Sequence, residues 1–449
     1  MTGRRTRRRD ERADVVVDCL REAFSDLMEA DPAAFRTKFR KMARDPFAFY
    51  RGSASVFYRD LAGGGSFGES DERWAGGAAS RVWIQGDLHC ENFGTYLDSD
   101  GRLVFDVNDF DEAYVGPWTW DLRRFVASLA LLCWQKALPD EVIDEMVSTY
   151  VRAYVDHVHH YVEAADDTEW ALTLDTARGH VLETLQAAKL STRFGLLESV
   201  TVVDDYRRTF ASRAGVRRLE DDELQRVLAA FAAYVDTIPE SKKATTVMFD
   251  VLDVVGKAGF GIGSAGLPAY NVLIEGFNQA LDNDVVLTMK QGNAAAPGRV
   301  VTDQRVHDFF RHHGHRTVLS ERSLQAHADR FLGWTEVDDV GYVVSEFSPY
   351  ELDVDWGDVN EPDEMALLVE QLGRATAKIH CVADDDSDHD LVDVSVEMEV
   401  AERVGDDVDG LVEDLRTFAH AYAEQVRTDH RLFVDSFRGG AFARVAPTT

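Results

Sequence analysis

Lysine is scarce in this chain: nine residues among 449, so arginine supplies nearly all of the 48 basic side chains set against 80 Asp and Glu. The formal charge is −32. A surface of that sign repels a phosphate backbone, which excludes broad nucleic-acid binding. Abundant carboxylates with few lysines suit a cytoplasm at molar salt, where the Debye length falls to roughly 3 Å and self-repulsion is screened. We read an acidic, halophilic, cytoplasmic protein. Cysteine is limited to Cys19, Cys90, Cys133 and Cys381, with no CxxC pair. That excludes a thiolate zinc site and a disulfide framework and fits a reducing compartment. Long apolar runs are also missing. The longest, FVASLALLCW from Phe125, is about half a membrane span, reads as a buried helix, and gives no reason to expect a membrane partner. The arginine-rich start has no apolar stretch behind it, so it reads as a short disordered basic arm (1–10), not an export signal.

What is present points to two lobes. The length exceeds one ordinary core, and 45% hydrophobic content is enough to fill two. Residues 11–60 and 121–240 carry helical periodicity. Between them a strand, RVWIQ (81–85), leads into GDLHCENFG (86–94) and a hairpin turning at DSDG (98–101). Composition shifts near 250. A Gly-dense stretch, GKAGFGIGSAG, precedes alternating strand-like segments, with one helix expected at 315–334. The domain reading is a helical large lobe with the catalytic and metal loops (11–250), a small sheet-rich nucleotide-binding lobe (251–356), and C-terminal helices that pack back on the large lobe (357–449). The fold class is α+β.

Two constellations carry chemistry. In the first, Asp87 and Asn92 follow a strand, and Asp109 is expected on the second strand of the hairpin, on the face of Phe105 and Val107. One carboxylate can then stand beside a substrate while an amide and a second carboxylate hold Mg²⁺, with Asp111 as a helper. Magnesium needs only one or two protein carboxylates, with phosphate and water completing its octahedron. The plain alternative is an acidic surface hairpin, but these acids alternate with Val and Phe. Asp121 opens the apolar helix as an expected N-cap, or as support for the loop. In the second constellation, Gly261, Gly263, Ser264 and Gly266 form a turn whose backbone N–H groups can approach phosphates closely. Lys290 ends an apolar strand where a solvated charge is unexpected, and Glu321 in the next helix is placed to pair with it, with Asp303 and Glu346 as alternatives. A glycine loop, a strand lysine and a helix glutamate in that order form the phosphate-holding half of a kinase.

GDLHCENFG with NDFDEA (108–113) resembles the catalytic and metal motifs of the aminoglycoside/choline-kinase branch of the protein-kinase-like superfamily. The resemblance implies a two-lobed kinase-like fold, with Asp87 catalytic, Asn92 and Asp109 on metal, Asp121 as the helix-start Asp, GIGSAG as the phosphate loop and Lys290 as the phosphate lysine. Gln85 stands where that branch usually has His. The order also differs, because the glycine loop follows the catalytic loop. The segment 364–384 resembles the helix that normally leads into that loop, so the resemblance implies a circular permutation. From KMARDPFAFYRG to AYAEQVRTDHRLF the chain also resembles an uncharacterised prokaryotic family, the domain of unknown function 2252.

The function expected is an Mg²⁺-ATP-dependent phosphotransferase with an unidentified acceptor, a small molecule among the candidates; nucleotidyl transfer is a variant. The alternatives are a non-catalytic, pseudokinase-like nucleotide-binding protein and a metal-dependent phosphoesterase, for which GDLH matches only the opening Asp-x-His. Partners beyond nucleotide and acceptor, including oligomeric state, are not legible in the sequence.

Overall fold

The computed structural model describes residues 2–63, 67–68, 71–164, 168–245, 247–257, 269–383, 391–442 and 445. The N-terminal helix runs Thr2–Ala30. The basic arm is therefore its first turns and not the disordered tail expected, because arginine is a good helix former and no proline or glycine follows Gly3 before the helix ends. Two Asp-Pro pairs punctuate the chain beyond it. Asp31 caps Pro32–Met42 by accepting the Ala34 N–H (2.9 Å), and Asp45 caps Pro46–Arg51 by accepting that of Ala48 (2.7 Å).

The helical body is built on Thr119–Gln135, Asp140–Glu163, Pro362–Cys381 and Val408–Arg438. The last buries Leu411, Leu415, Phe418, Tyr422, Val426, Phe433 and Phe437, an apolar stripe at helical spacing. The run from Phe125 is buried as expected up to Cys133; Trp134 emerges to solvent. Among the described residues, no helix is long and apolar enough to cross a membrane.

Two small antiparallel pairings carry the motifs: Val82–Ile84 with Tyr114–Gly116, and Phe93–Leu97 with Leu103–Val107. The second hairpin turns at Asp98, whose carboxylate accepts the N–H groups of Asp100 and Arg102. Its strand ends at Val107. Asp109 therefore lies beyond the strand, in a left-handed conformation (φ 55°), and not on its inner face as expected.

The second lobe is a six-stranded antiparallel sheet in the order Gly333–Val337, Val340–Glu346, Val285–Gln291, Ala269–Ile274, Val251–Lys257 and Val216–Arg217. Its side chains alternate. Val272, Leu287, Met289 and Val344 face helix Asp221–Val235, and Val255, Leu273 and Val286 face helix Arg193–Val200 and Phe210. The sheet thus takes its covering layers from residues 193–235. Those helices precede residue 250, where the small lobe was expected to begin. Helix His313–Gln325 packs beside the sheet and stops at Ala326 (φ 58°), short of the expected residue 334, so that Gly333 can begin a strand.

Candidate active site

The loop after Ile84 is held from three sides. Gly86 has φ +82°, and a Cβ there would lie 2.1 Å from the Glu112 carbonyl oxygen, so only glycine fits. Asp121 does not cap its helix. It sits inside the first turn and accepts the N–H groups of Gln85 (2.6 Å) and Gly86 (2.9 Å). Asp121 is steadied in turn by His380 Nε2 (3.2 Å), whose Nδ1 meets the Tyr154 hydroxyl (2.9 Å). Gln85 does supply loop support: its Nε2 donates to the carbonyls of Asn108 (3.1 Å) and Asp109 (2.6 Å), and its Oε1 accepts the Asp87 N–H (2.8 Å). One buried amide thereby fixes the 86–94 loop relative to the 108–113 loop.

Asp87 Oδ1 accepts from Arg124 Nε (2.7 Å) and Nη2 (2.6 Å). Arg124 is fully buried, lies over the Tyr50 ring and donates to the Tyr50 carbonyl (2.8 Å). Burial pushes the Asp87 carboxyl up and Arg124 pulls it down. His89 is a buried loop residue. Its Nδ1 accepts the Glu91 N–H, and burial with Arg51 and Arg124 nearby holds it neutral, well below the usual histidine range. Glu91 pairs with Arg51.

Asn92 Nδ2 donates to the Asp87 carbonyl (2.9 Å), which leaves its Oδ1 for another partner. The Asp109 carboxylate has no hydrogen bond or ion pair among the described residues. Enclosure in the cleft and the neighbouring Asp111 charge both raise its pKa; because water reaches the side chain, we ascribe the rise mainly to Asp111. Asp111 instead has a partner: Lys290 Nζ, from the sheet, donates to its Oδ2 (2.8 Å). Lys290 is raised and Asp111 lowered, despite burial, by each other's charge. Arg316, on helix His313–Gln325, clamps this loop by donating to the carbonyls of Ala113, Asp111 (2.7 Å) and Asn293 (2.9 Å).

Glu321 is not the direct partner of Lys290. It lines the same cleft, and burial beside Asp329 and Glu351 pushes it up to about 8. Neither alternative takes its place: Glu346 is bound by Arg193 (2.7 Å), and Asp303 caps Gln304–Phe309. Gly261, Gly263, Ser264 and Gly266 lie outside the described residues; their segment joins Val251–Lys257 to Ala269–Ile274, one strand over from Lys290.

The cleft between the lobes holds about 460 Å³, the size of a small-molecule site. Asn92, Asp109, Asp111, Thr288, Lys290 and Glu321 line it, with Val343 and Ser345 on its sheet wall. Asp87 opens into a smaller cavity behind it that shares Arg51, Asp109 and Asp111. Among the described residues no group of three or more His, Cys, Asp or Glu is placed to hold a metal unaided. A magnesium ion completed by phosphate and water does not need one, and an unpartnered Asp109 carboxylate and an Asn92 oxygen lining the same cleft fit that requirement.

Arg124, Arg316 and the bridging role of Gln85 escaped the sequence reading. The one signal was the Arg123-Arg124 pair inside an otherwise apolar helix, since a charge there needs a buried partner. No curated protein and no solved structure matches the chain. The chain belongs to the family described as an uncharacterized protein conserved in bacteria (DUF2252), whose model matches residues 30–436.

Proposed function

We propose that the protein is an Mg²⁺-ATP-dependent phosphotransferase of the protein-kinase-like kind acting on an unidentified acceptor. The observation that carries this reading is the meeting of Lys290 with Asp111 across the cleft (2.8 Å), on the wall that also presents Asn92 and Asp109. Residues about 180 positions apart in the chain thus form one site. The order of parts in the sheet lobe supports it too: two strands flank the glycine-dense segment, the third carries Lys290, and a helix bearing Glu321 precedes the last two.

On this reading Asp87, oriented by Arg124, accepts the proton of the acceptor hydroxyl. Asn92 and Asp109 would hold Mg²⁺, with Asp111 adjoining. Lys290 and the glycine-dense segment would hold the phosphates. Magnesium, when bound, neutralises charge on the transferred group. A permuted chain is supported by Pro362–Cys381, which sends His380 to the Asp121 that holds the catalytic loop, and by Arg81, just before that loop's strand, reaching the Leu391 carbonyl (3.2 Å). The two points that a permutation would reconnect are neighbours. The phosphoesterase alternative is disfavoured because its two metals need a cluster of ligands that the described residues do not offer.

The test is Mg²⁺-ATP binding and turnover in molar KCl for wild type, Asp87→Ala and Asp109→Ala. ATP should bind wild type only with Mg²⁺. Asp109→Ala should lose that binding, and Asp87→Ala should bind but hydrolyse or transfer at least 100-fold more slowly. Binding by wild type without turnover under any acceptor screen would favour the non-catalytic alternative. No binding by folded wild type would end both.

A further inference from the structure

A buried lysine on the far side of Asp87 has nothing to hold. Lys38 lies on helix Pro32–Met42, 4% exposed, with Nζ over the Phe24 ring at 3.9 Å. Among the described residues it has no hydrogen-bond or ion-pair partner, although lysines are almost never buried unpaired. It lines the small cavity that Asp87 enters, together with Arg51 and Arg299. The other charges there are committed. Asp87 is bound by Arg124, Asp111 by Lys290, Arg51 by Glu91, and Glu112 accepts the Ala296 N–H. Arg299 donates to the carbonyls of Glu22 and Ala23. Asp109 is the candidate metal ligand. Among the described residues that line the cavity, Lys38 is therefore the one cation with neither a hydrogen-bond nor an ion-pair partner.

We propose that this cavity is the acceptor subsite and that Lys38 binds a small oxyanion, a phosphate or carboxylate group, carried by the acceptor. The proposal rests on the phosphotransfer reading for the word acceptor, and on the cavity alone for the anion. The enclosed room, about 40 Å³, admits a few heavy atoms and excludes a bulky polycyclic amine in this arrangement of the lobes. The position is chemically apt. A group anchored at Lys38 would place a hydroxyl one or two bonds away near Asp87, with the candidate metal residues beyond. Burial pulls the Lys38 ammonium down to about 8, against the attraction of Glu112 and Asp87. A bound oxyanion would restore its charge, as an opposite charge does for any buried cation. This inverts what an acidic composition suggests, namely a cationic acceptor.

The test is titration of the full chain with inorganic phosphate and, separately, with acetate, by calorimetry at fixed salt. It uses wild type, Lys38→Met, Lys38→Arg and Lys290→Met. Methionine keeps the packing of the lysine stem and removes the charge; the arginine variant covers the case in which methionine fails to fold. At least one of the two anions should bind wild type saturably, bind Lys38→Met at least tenfold more weakly, and bind Lys38→Arg and Lys290→Met within threefold of wild type. Phosphate binding with no acetate binding assigns a phosphorylated acceptor; the reverse assigns a carboxylate. Binding of neither anion, or binding lost with Lys290 and kept without Lys38, overturns the proposal. ATP binding measured on the same four proteins separates the two readings: loss in Lys290→Met alone upholds the nucleotide cleft whatever becomes of Lys38.

Discussion

Replacing Arg124 by methionine removes a charge from a fully buried position. Arg124 is wholly buried, and its two contacts to Asp87 Oδ1 are 2.7 and 2.6 Å. At an effective dielectric of about 20, unit charges that close attract by roughly 6 kcal/mol. Most of that offsets the dehydration of the two ions, so the pair itself is worth little against an apolar isostere. Breaking it from one side is different. Asp87 is left mostly buried, with Lys38 and Arg51 as more distant cations, and its pKa rises further as burial goes unopposed. The expected loss for Arg124→Met is about 3–5 kcal/mol. Asp87→Asn alone should cost somewhat less, because Arg124 keeps the Tyr50 carbonyl and ring. The double variant should recover part of the loss, with a coupling energy of roughly 2–3 kcal/mol. Guanidinium unfolding of the four proteins followed by tryptophan fluorescence gives the cycle. A single-variant loss below about 1 kcal/mol, or a double variant whose loss equals the sum of the singles, would refute the claim that Asp87 is held as a charged, paired group.

Two further outcomes are accessible. His157 is buried with Nε2 unpartnered, and burial, then His160 and Arg374, hold it down to about 3. Its folded value lies below its unfolded value of about 6.5, so stability is full above pH 6.5 and falls as pH drops from there toward 3. The slope is at most about 1.4 kcal/mol per pH unit, or about 2 kcal/mol at pH 5. His157→Phe should lose that dependence in unfolding curves at pH 7 and pH 5; an unchanged difference between the two would show that His157 is not its source. Gly86→Ala must accept both φ +82° and a Cβ that meets the Glu112 carbonyl. It should destabilise by at least about 2 kcal/mol, read as a lowered melting temperature, whereas Gly101→Ala, at φ +83° but with open space around it, should cost only the backbone part.

The candidate loop 86–94 was legible because its residues break a local pattern: acids and amides stand between buried Trp83, Ile84, Phe93 and Val107, where a solvated surface would not put them. Lys290 was legible for the same reason. Along Val285–Gln291 one face passes from Val286, in the core, to Thr288 and Lys290, in the cleft, and the alternation of a strand shows that in sequence. What stayed hidden depends on distant segments. Lys38 in TKFRKM looks like any solvated helix charge, and it is buried by contacts that include Phe24 of the preceding helix and Phe35 of its own. Arg124 waits on Asp87, 37 positions earlier. Helix Asp221–Val235 shows an apolar stripe and the short Arg193–Val200 shows none, and even a stripe does not say which sheet it will cover. Asp109 was put on a strand by a period of two that ends at Val107, although Asn108-Asp109 are of the types that tolerate a left-handed turn.

The acidity of the cleft bears on the proposed function through distance. Seven carboxylates line it (Glu91, Asp109, Asp111, Glu321, Asp329, Glu351 and Asp353) against Arg51 and Lys290, a balance that by charge count alone repels a nucleotide. Screening does not act on these charges equally. At molar salt the Debye length is roughly 3 Å, so carboxylates well away from a bound phosphate repel it little, whereas contacts at hydrogen-bond distance keep their strength. The Lys290–Asp111 pair at 2.8 Å is of the second kind, as a phosphate exchanged onto Lys290 would be, or a magnesium ion on Asp109. A site made of short contacts can therefore work inside a wall of like charge, provided the salt is high. In dilute buffer the same wall acts at long range, and the chain's −32 adds to it. If the protein works in concentrated salt, as its composition led us to expect, an acidic cleft and an anionic ligand are compatible for the same physical reason that an acidic surface would be tolerated there: electrostatics reduces to what touches.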